Sequence, residues 1–455
     1  MVNSFLALFR PAPHIPEITD QETINSEYKY WRIRILYSMF VGYALYYFTR
    51  KSFTFAMIGL SQDLNFDKSE LGFLGSVFAI TYGISKFASG VISDQSNPRY
   101  FMAFGLILTG LFNIFFGMSS SLVLFALFWG LNGWFQGFGW PPCARFLTHW
   151  YSHSERGSWW STWNVSHNVG AFIIPWIVGI CLHYWGWRAG MYVPGVICII
   201  GGLFLINRLR DTPQSLGLPS IEKFRNDYGG ISKNANGEEK ELTSRELLKS
   251  VLSNKYIWLL AIASFFVYLV RQAVGDWTAM LLVETKDYSR LGANGFASLF
   301  EAGGFCGSLV AGWSSDRLFS ARRGPVNAIF AVGMLAALLT FWLVPGGHVW
   351  IDSCALFAMG FTVFGPQMLI GVAAAELVHK KAAATATGLT GWVAYLGAAV
   401  AGYPLGVMLD RLGWQSFYWA MGICCLLSIV VLMPLWNAAE RSKLIVSPAT
   451  EPAKA

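Results

Sequence analysis

Long apolar runs with almost no charge are the feature of this sequence that most limits how it can fold. Only 13% of its 455 residues are Asp, Glu, Lys or Arg, whereas a soluble globular chain carries about 25%. The charges cluster between stretches that are long enough to cross a bilayer, which takes ~20 apolar residues per helix. Inside hydrocarbon a helix satisfies all of its own backbone hydrogen bonds. The sequence therefore predicts an all-α, polytopic membrane protein.

Apolar runs and polar breaks divide the chain into about twelve predicted transmembrane helices. The predicted domains are an N-terminal six-helix half at 1–207, a polar cytoplasmic linker at 208–255, and a C-terminal six-helix half with a short cytoplasmic tail at 256–455. The predicted spans are 33–60, 71–93, 99–118, 122–144, 160–183, 188–207, 256–283, 293–315, 325–345, 349–375, 383–409 and 414–436.

The basic residues predict the orientation of these spans. The net charge of +7 could suggest a nucleic-acid partner. The Lys and Arg residues, however, lie mostly in short loops on one side of the predicted spans, which is the pattern of cytoplasmic loops. We therefore expect a lipid bilayer and no nucleic acid as the partner, with both termini in the cytoplasm.

An internal repeat relates the two predicted halves. The run Gly90-Val-Ile-Ser-Asp94 recurs as Gly312-Trp-Ser-Ser-Asp316, and Tyr47 and Arg50 recur at nearly the same offset as Tyr268 and Arg271. Parallel halves of this kind place a substrate site at their interface, near the middle of the membrane. The repeat predicts two six-helix pseudo-repeats.

Two arginines lie near the middle of predicted spans. Arg50 is in the first span and Arg271 is at the related position of the seventh. An arginine at the centre of a membrane helix costs about 2.5–3.5 kcal/mol on insertion scales, so it is expected to face a cavity or a counter-ion. Guanidinium binds phosphate oxygens bidentately, and two such groups fit a phosphate dianion. The alternative is that each arginine pairs with a buried acid, for which Asp276 and Glu301 are available.

Further polar groups lie in the same spans. Tyr43, Tyr47 and Arg50 have the spacing of one helix face, and a tyrosine offers a ring to a carbon chain and a hydroxyl to phosphate. The other interpretation of such a tyrosine is an aromatic residue at the membrane interface. Lys86 and His167 also lie within spans, where a single histidine can instead join two helices.

Lys51 follows Arg50 and points some 100° away around the helix. We therefore predict that it pairs with Asp276 or Glu301 in a gate and does not bind ligand.

The sequence disfavours an enzyme. It shows no paired nucleophile and base and no glycine-rich phosphate loop. His149 and His153 are four residues apart, yet no third ligand is evident. We predict no catalytic residue, no metal and no cofactor.

Four runs resemble the organophosphate:phosphate antiporters of the major facilitator superfamily, which include bacterial glycerol-3-phosphate and hexose-phosphate transporters. They are GYALYYFTRKSF at 42–53, WFQGFGWPPC at 134–143, FGPQMLIG at 364–371, and RGx5WNx2HNVG at 156–170, the last being the family's signature. The likeness extends from about residue 28 to 436.

The resemblance implies a function and a set of site residues. In this family the arginines that match Arg50 and Arg271 bind the substrate phosphate. Inorganic phosphate is exchanged for the organophosphate without direct use of ATP. The resemblance further implies that the cavity is lined by Lys86, His167, Tyr43, Tyr47, Tyr82, Tyr268 and Tyr395, and that Lys51, Asp276 and Glu301 form gating salt bridges. The expected location is the bacterial inner membrane, and the expected state is a monomer.

The chain departs from the family pattern at several positions. The eleventh span holds Thr387 and Thr390 where the hexose-phosphate transporter has an acid and a lysine, and Ala171 replaces the final glycine of the signature. The runs at 47–53 and 186–191 look closest to the hexose-phosphate sensor branch.

From the two arginines within the spans and the family resemblance we predict a sugar-phosphate/phosphate antiporter, with hexose 6-phosphate as the expected substrate. The alternative is a membrane sensor of hexose phosphate that signals to a partner kinase.

Overall fold

The computed structural model describes residues 9–227, 249, 251–320, 322–378 and 383–436, and all regular structure within these ranges is helical. The predicted all-α class is confirmed. The α-helices are α1 (Gln21–Leu64), α2 (Lys68–Asp94), α3 (Pro98–Met118), α4 (Leu122–Gln136), α5 (Trp140–Trp150), α6 (His153–Asn164), α7 (Ser166–Trp185), α8 (Ala189–Arg208), α9 (Ile221–Arg225), α10 (Lys255–Lys286), α11 (Arg290–Arg317), α12 (Arg323–Leu343), α13 (Val349–Glu376), α14 (Ala383–Val400), α15 (Tyr403–Leu412) and α16 (Gln415–Leu432).

The helices match the predicted membrane spans. Among the described residues, 10 helical segments are long and apolar enough to cross a membrane. The two remaining predicted spans correspond to α1 and α11. Helix α1 is 44 residues long and begins well before the predicted start at residue 33. Helix α11 contains many glycine and serine residues, so its mean hydropathy is low although it is a continuous helix.

Three predicted spans are interrupted in the structure. The fourth divides into α4 and α5, the fifth into α6 and α7, and the eleventh into α14 and α15. Pro141 and Pro142 lie in the first turn of α5, and a proline also lies in the first turn of α15. Proline lacks the N–H that a continuing helix needs and its ring clashes with the preceding turn, so it fits the start of a new helix.

The chain forms two compact units. The first comprises residues 1–66 and 77–238, and the second comprises 67–76 and 239–455. Helix α2 therefore begins in the second unit and continues in the first. The predicted division at 207 and 255 stays a prediction, because residues 228–248 and 250 of the linker lie outside the described residues.

Helix α1 is the central element of the first unit, where it packs against α7 and α8. Close approach of helices depends on glycine. A Cβ atom on Gly110 of α3 would lie 2.5 Å from the carbonyl oxygen of Gly195 in α8, and small residues allow such contact between membrane helices.

The segments that flank α1 and α8 are tied to this unit through Asp211. Its carboxylate accepts hydrogen bonds from Ala12 N at 2.8 Å and from Arg145 Nη2 at 3.0 Å.

In the second unit α11 packs closely along α13. Gly303 and Gly307 of α11 face backbone atoms of Phe357 and Phe361 so closely that an added Cβ would overlap their carbonyl groups. The glycines that lower the hydropathy of α11 therefore make this seam possible.

The first nine residues of α2, at 68–76, belong to the second unit and are held there by polar contacts. The Asp410 carboxylate accepts hydrogen bonds from the backbone N–H groups of Lys68 at 3.0 Å and Ser69 at 2.7 Å. Lys68 Nζ also pairs with Glu284 at 2.9 Å. Since the first N–H groups of a helix lack partners within the helix, Asp410 acts as a cap.

Candidate functional site

The predicted polar face of α1 is present in the structure. Tyr43 and Tyr47 are both buried, and their ring centroids are 6.0 Å apart. Arg50 follows one turn later and is half-buried. The spacing along one helix therefore brings these three side chains together.

Two other helices supply further contacts to Arg50. Its guanidinium carbon lies 4.4 Å from the ring centroid of Tyr47 and 4.5 Å from that of Tyr82 on α2. Its Nε donates a hydrogen bond to Gln136 Oε1 on α4 at 3.2 Å. Aromatic faces attract a cation electrostatically, and the attraction reaches about 2 kcal/mol or more when the pair is desolvated. Two tyrosine rings and one amide thus contact the guanidinium directly.

His167 lies beside this cluster. Its ring centroid is 5.7 Å from that of Tyr47, and its Nδ1 contacts the carbonyl oxygen of Asn164. Because a carbonyl can only accept, the contact assigns a proton to Nδ1. Lys86 is half-buried and lies one turn after Tyr82 on α2. In the first unit the structure thus brings together Tyr43, Tyr47, Arg50, Tyr82 and His167.

A second aromatic and arginine cluster is found in the second unit. The guanidinium carbon of Arg271 on α10 lies 4.6 Å from the ring centroid of Phe364 and 6.0 Å from that of Tyr268. Tyr268 in turn lies 5.8 Å from Tyr395 of α14. The repeat seen in the sequence is therefore also a repeat of environment, since both arginines lie over the rings of aromatic residues.

The predicted gating residues lie on three membrane helices. Lys51 is buried on α1, and Glu301 is buried on α11. The Asp276 carboxylate on α10 accepts a hydrogen bond from Gln272 Nε2, one turn earlier. The pairing of Lys51 with either acid stays a prediction.

Two residues that touch the arginines, Gln136 and Phe364, were not predicted as site residues from the sequence. Gln136 and Phe364 both lie in runs that resemble the antiporter family. Gln136 had a signal in the sequence, because an amide inside an apolar span needs a reason to be there. Phe364 had none, since a phenylalanine in a membrane span is ordinary.

Within the described residues no group of three or more His, Cys, Asp or Glu side chains could hold a metal ion. The polar groups of the two clusters are two arginines, several tyrosines, one amide and one histidine, which suit an oxyanion better than a cation.

The fold and these clusters define a class, namely a multi-pass helical membrane protein with arginines inside its spanning helices. The family model of the Major Facilitator Superfamily matches residues 39–402, and the chain belongs to that superfamily.

Relatives with assigned names cover nearly the whole chain. A probable hexose phosphate transport protein of Chlamydia pneumoniae is 58% identical over 97% of this chain and 99% of that protein. The membrane sensor protein UhpC of Escherichia coli (strain K12) is 48% identical over 93% of this chain and 96% of that protein. The glycerol-3-phosphate transporter of Bacillus subtilis (strain 168) is 43% identical over 96% and 99%. The resemblance to the organophosphate branch is confirmed by these relatives.

Solved structures support the fold. The crystal structure of a bacterial homolog to the human lysosomal transporter Spinster, inward-facing and unoccupied, matches with a TM-score of 0.74 at 15% identity and covers 92% of this chain and 99% of that chain.

Proposed function

We propose that this protein is a secondary transporter that exchanges a sugar phosphate, with hexose 6-phosphate as the expected substrate, for inorganic phosphate by alternating access. The observation that carries the proposal is the environment of Arg50. Its guanidinium lies inside a spanning helix, where it contacts the rings of Tyr47 and Tyr82 and donates a hydrogen bond to the amide of Gln136. The names of two relatives that are 57–58% identical support the hexose-phosphate substrate.

The arginines are the residues we propose for phosphate binding. A guanidinium stays protonated at every cellular pH and offers a planar pair of N–H donors that matches two phosphate oxygens. We propose that Arg50 and Arg271 bind the same phosphate group, so that a dianion is balanced by two positive charges. Lysine at either position would keep the charge and lose the planar fork.

The remaining polar residues take secondary roles in this proposal. Lys86, His167 and the tyrosines 43, 47, 82, 268 and 395 line the cavity, where rings pack against the sugar and hydroxyls bind its oxygens. Lys51, Asp276 and Glu301 form salt bridges that exchange partners as the conformation changes. We further propose that the protein is not an enzyme, acts as a monomer in the bacterial inner membrane, and has both termini in the cytoplasm.

We propose that the exchange is strict. A phosphate dianion that both arginines bind bridges them and lowers the barrier to the conformational change. The conformational change is therefore expected to proceed with phosphate or sugar phosphate bound and to be slow without either.

The second candidate is a sensor that binds hexose phosphate without transporting it and signals to a partner kinase. The observation in its favour is the 48% identity to a membrane sensor protein. Identity to the proteins named for hexose phosphate transport is higher, at 57–58%, which favours transport.

The test is uptake of labelled glucose 6-phosphate by proteoliposomes that contain the purified protein. One set is loaded with inorganic phosphate and a matched set with sulfate, and labelled glycerol 3-phosphate serves as the comparison substrate. We expect rapid uptake of glucose 6-phosphate that requires internal phosphate. Uptake that is equal in both sets would contradict the exchange. If glucose 6-phosphate raises the melting temperature of the protein and yet is not taken up, the sensor is the correct function.

A further inference from the structure

Gln136 is a buried amide at the end of α4 whose side chain links α4 to α1 in the first unit. It is 1% exposed. Its Nε2 carries two hydrogens, which are shared among three acceptors: Tyr46 O at 3.1 Å, Thr49 Oγ1 at 3.0 Å and Asn132 Oδ1 at 3.2 Å. Its Oε1 accepts from Arg50 Nε at 3.2 Å.

The chemistry of these partners fixes which way the amide faces. The carbonyl oxygen of Tyr46 can only accept, so the nitrogen of the Gln136 amide must lie at that end. The guanidinium of Arg50 can only donate, so the oxygen must lie at the other end. A flipped amide would set donor against donor and acceptor against acceptor. The oxygen of Gln136 is therefore directed at Arg50 by the surrounding protein.

A chain of buried polar groups anchors Gln136 in turn. Asn132 Nδ2 donates to Thr49 O at 3.2 Å and to Asn113 Oδ1 at 3.3 Å. Asn113 Nδ2 donates to Met191 O at 2.7 Å, and Ser52 Oγ donates to Asn113 Oδ1 at 2.9 Å. This amide chain, defined as Asn113, Asn132 and Gln136, connects α1, α3, α4 and α8. Buried polar groups that hydrogen-bond to one another in this way make a network rigid.

We propose that Gln136 is a positioning residue for phosphate binding, because it fixes how the planar guanidinium of Arg50 is rotated within its own plane. The inference rests on the proposed function of Arg50. The rings of Tyr47 and Tyr82 lie within 4.5 Å of the guanidinium carbon and limit its tilt, but a ring face does not select one N–H over another. The hydrogen bond from Nε to Gln136 does, and it occupies one of the five N–H donors. The hydrogen bond from Nε to Gln136 therefore determines which pair of N–H groups is directed at two phosphate oxygens.

The neutrality of Gln136 is part of this role. A glutamate has nearly the same size and would hold Nε as well. It would also form an ion pair with Arg50, which competes with phosphate for the same charge, and it would set an acceptor against the carbonyl of Tyr46. An amide holds the guanidinium and adds no ion pair of its own.

The experiment measures exchange of labelled inorganic phosphate in phosphate-loaded proteoliposomes, with KM and maximal rate determined separately and the melting temperature of each purified variant recorded. For Gln136→Leu we expect the KM for phosphate to rise about tenfold, since a hydrogen bond to a charged group is lost. Gln136→Glu should raise KM at least as much. The control is Asn327→Leu, which removes a buried amide from α12 in the second unit. It should lower the melting temperature comparably and leave KM within about twofold of wild type.

The inference is overturned if Gln136→Leu changes KM no more than Asn327→Leu does. Should Gln136→Leu fail to fold, Gln136→Glu decides, and a wild-type KM in that variant overturns the inference equally. Arg50→Ala separates this outcome from failure of the proposed function. If Arg50→Ala exchanges phosphate with a wild-type KM, Arg50 does not bind phosphate and the proposed function fails. If Arg50→Ala abolishes exchange and Gln136→Leu behaves as wild type, only the positioning role is wrong.

Discussion

The ion pair between Lys286 and Asp352 offers a prediction whose size follows from the structure. Lys286 ends α10 and Asp352 lies in the first turn of α13, and their side chains are 5% and 0% exposed. Lys286 Nζ also donates to Phe341 O at 3.0 Å, and Tyr288 OH donates to Asp352 Oδ2 at 2.8 Å. Each charge is thus removed from water and depends on the other.

Replacing Asp352 alone is therefore expected to be costly. Asp352→Leu leaves the ammonium of Lys286 buried without its counter-ion, and breaking a buried pair costs about 3–5 kcal/mol of the free energy of unfolding. The double variant Lys286→Met, Asp352→Leu removes both charges and keeps the volume. Because desolvation offsets most of the attraction in such pairs, the double variant should lie within about 1 kcal/mol of wild type or be more stable.

The assay is reversible unfolding of the purified protein in mixed micelles of a mild detergent and dodecyl sulfate, with the transition followed by tryptophan fluorescence. The expected order of stability is wild type and double variant together, and the single variant well below them. The reasoning is refuted if the single variant is as stable as wild type. It is also refuted if the double variant is as unstable as the single one, because the loss would then come from packing.

Four further substitutions test other contacts of the structure. Burial, and then the hydrogen bond to Asp352, raises the pKa of Tyr288 from 10.0 to about 12. The free energy of unfolding that comes from this raised pKa is therefore present below pH 10 and is lost as the pH rises through 12. Tyr288→Phe should abolish this contribution to the pH dependence of the free energy of unfolding, which unfolding titrations at alkaline pH measure. Tyr82→Leu should raise the KM for phosphate severalfold in exchange assays because Arg50 loses one ring, whereas Tyr82→Phe should raise it less; equal effects would rule out the ring contact. Asp410→Ala should cost about 0.5–2 kcal/mol and speed hydrogen exchange at the first amides of α2, and unchanged exchange there would contradict the capping role. Gly307→Ala should prevent folding, as judged by monodisperse protein in size-exclusion chromatography, while Gly312→Ala on the same helix should fold normally.

The fold was largely predictable because hydrocarbon imposes a simple rule on the sequence. A charge-free stretch of about 20 residues has to be a helix in a membrane. The rule depends on composition alone and does not detect an interruption of the helix. For this reason it did not predict the breaks between α4 and α5 or between α14 and α15. The prolines at the start of α5 and α15 mark these breaks and could have been used to place them.

The site was predictable along each helix and much less so between helices. Tyr43, Tyr47 and Arg50 share a face because of the helical period alone, and the central position of Arg50 in its span indicated a role. The contacts with Tyr82 and Gln136 join α1 to α2 and α4 and depend on how those helices pack. The position of Gln136 in a conspicuous run predicted importance, but the direction of its amide follows only from Tyr46 and Asn132 around it.

The central claim is that the planar pair of N–H donors of each arginine binds phosphate. Uptake of labelled inorganic phosphate into phosphate-loaded proteoliposomes, which measures phosphate exchange, tests this claim most directly. Arg50→Lys and Arg271→Lys are compared with Arg188→Lys, which makes the same chemical change at the loop before α8, where Arg188 donates to the carbonyl oxygens of Gly117 and Ser119. We predict that the rate falls to less than about a tenth in each of the first two variants, since a tenfold loss corresponds to roughly 1.4 kcal/mol, and stays near wild type in Arg188→Lys. Wild-type exchange by either Arg50→Lys or Arg271→Lys would contradict the claim.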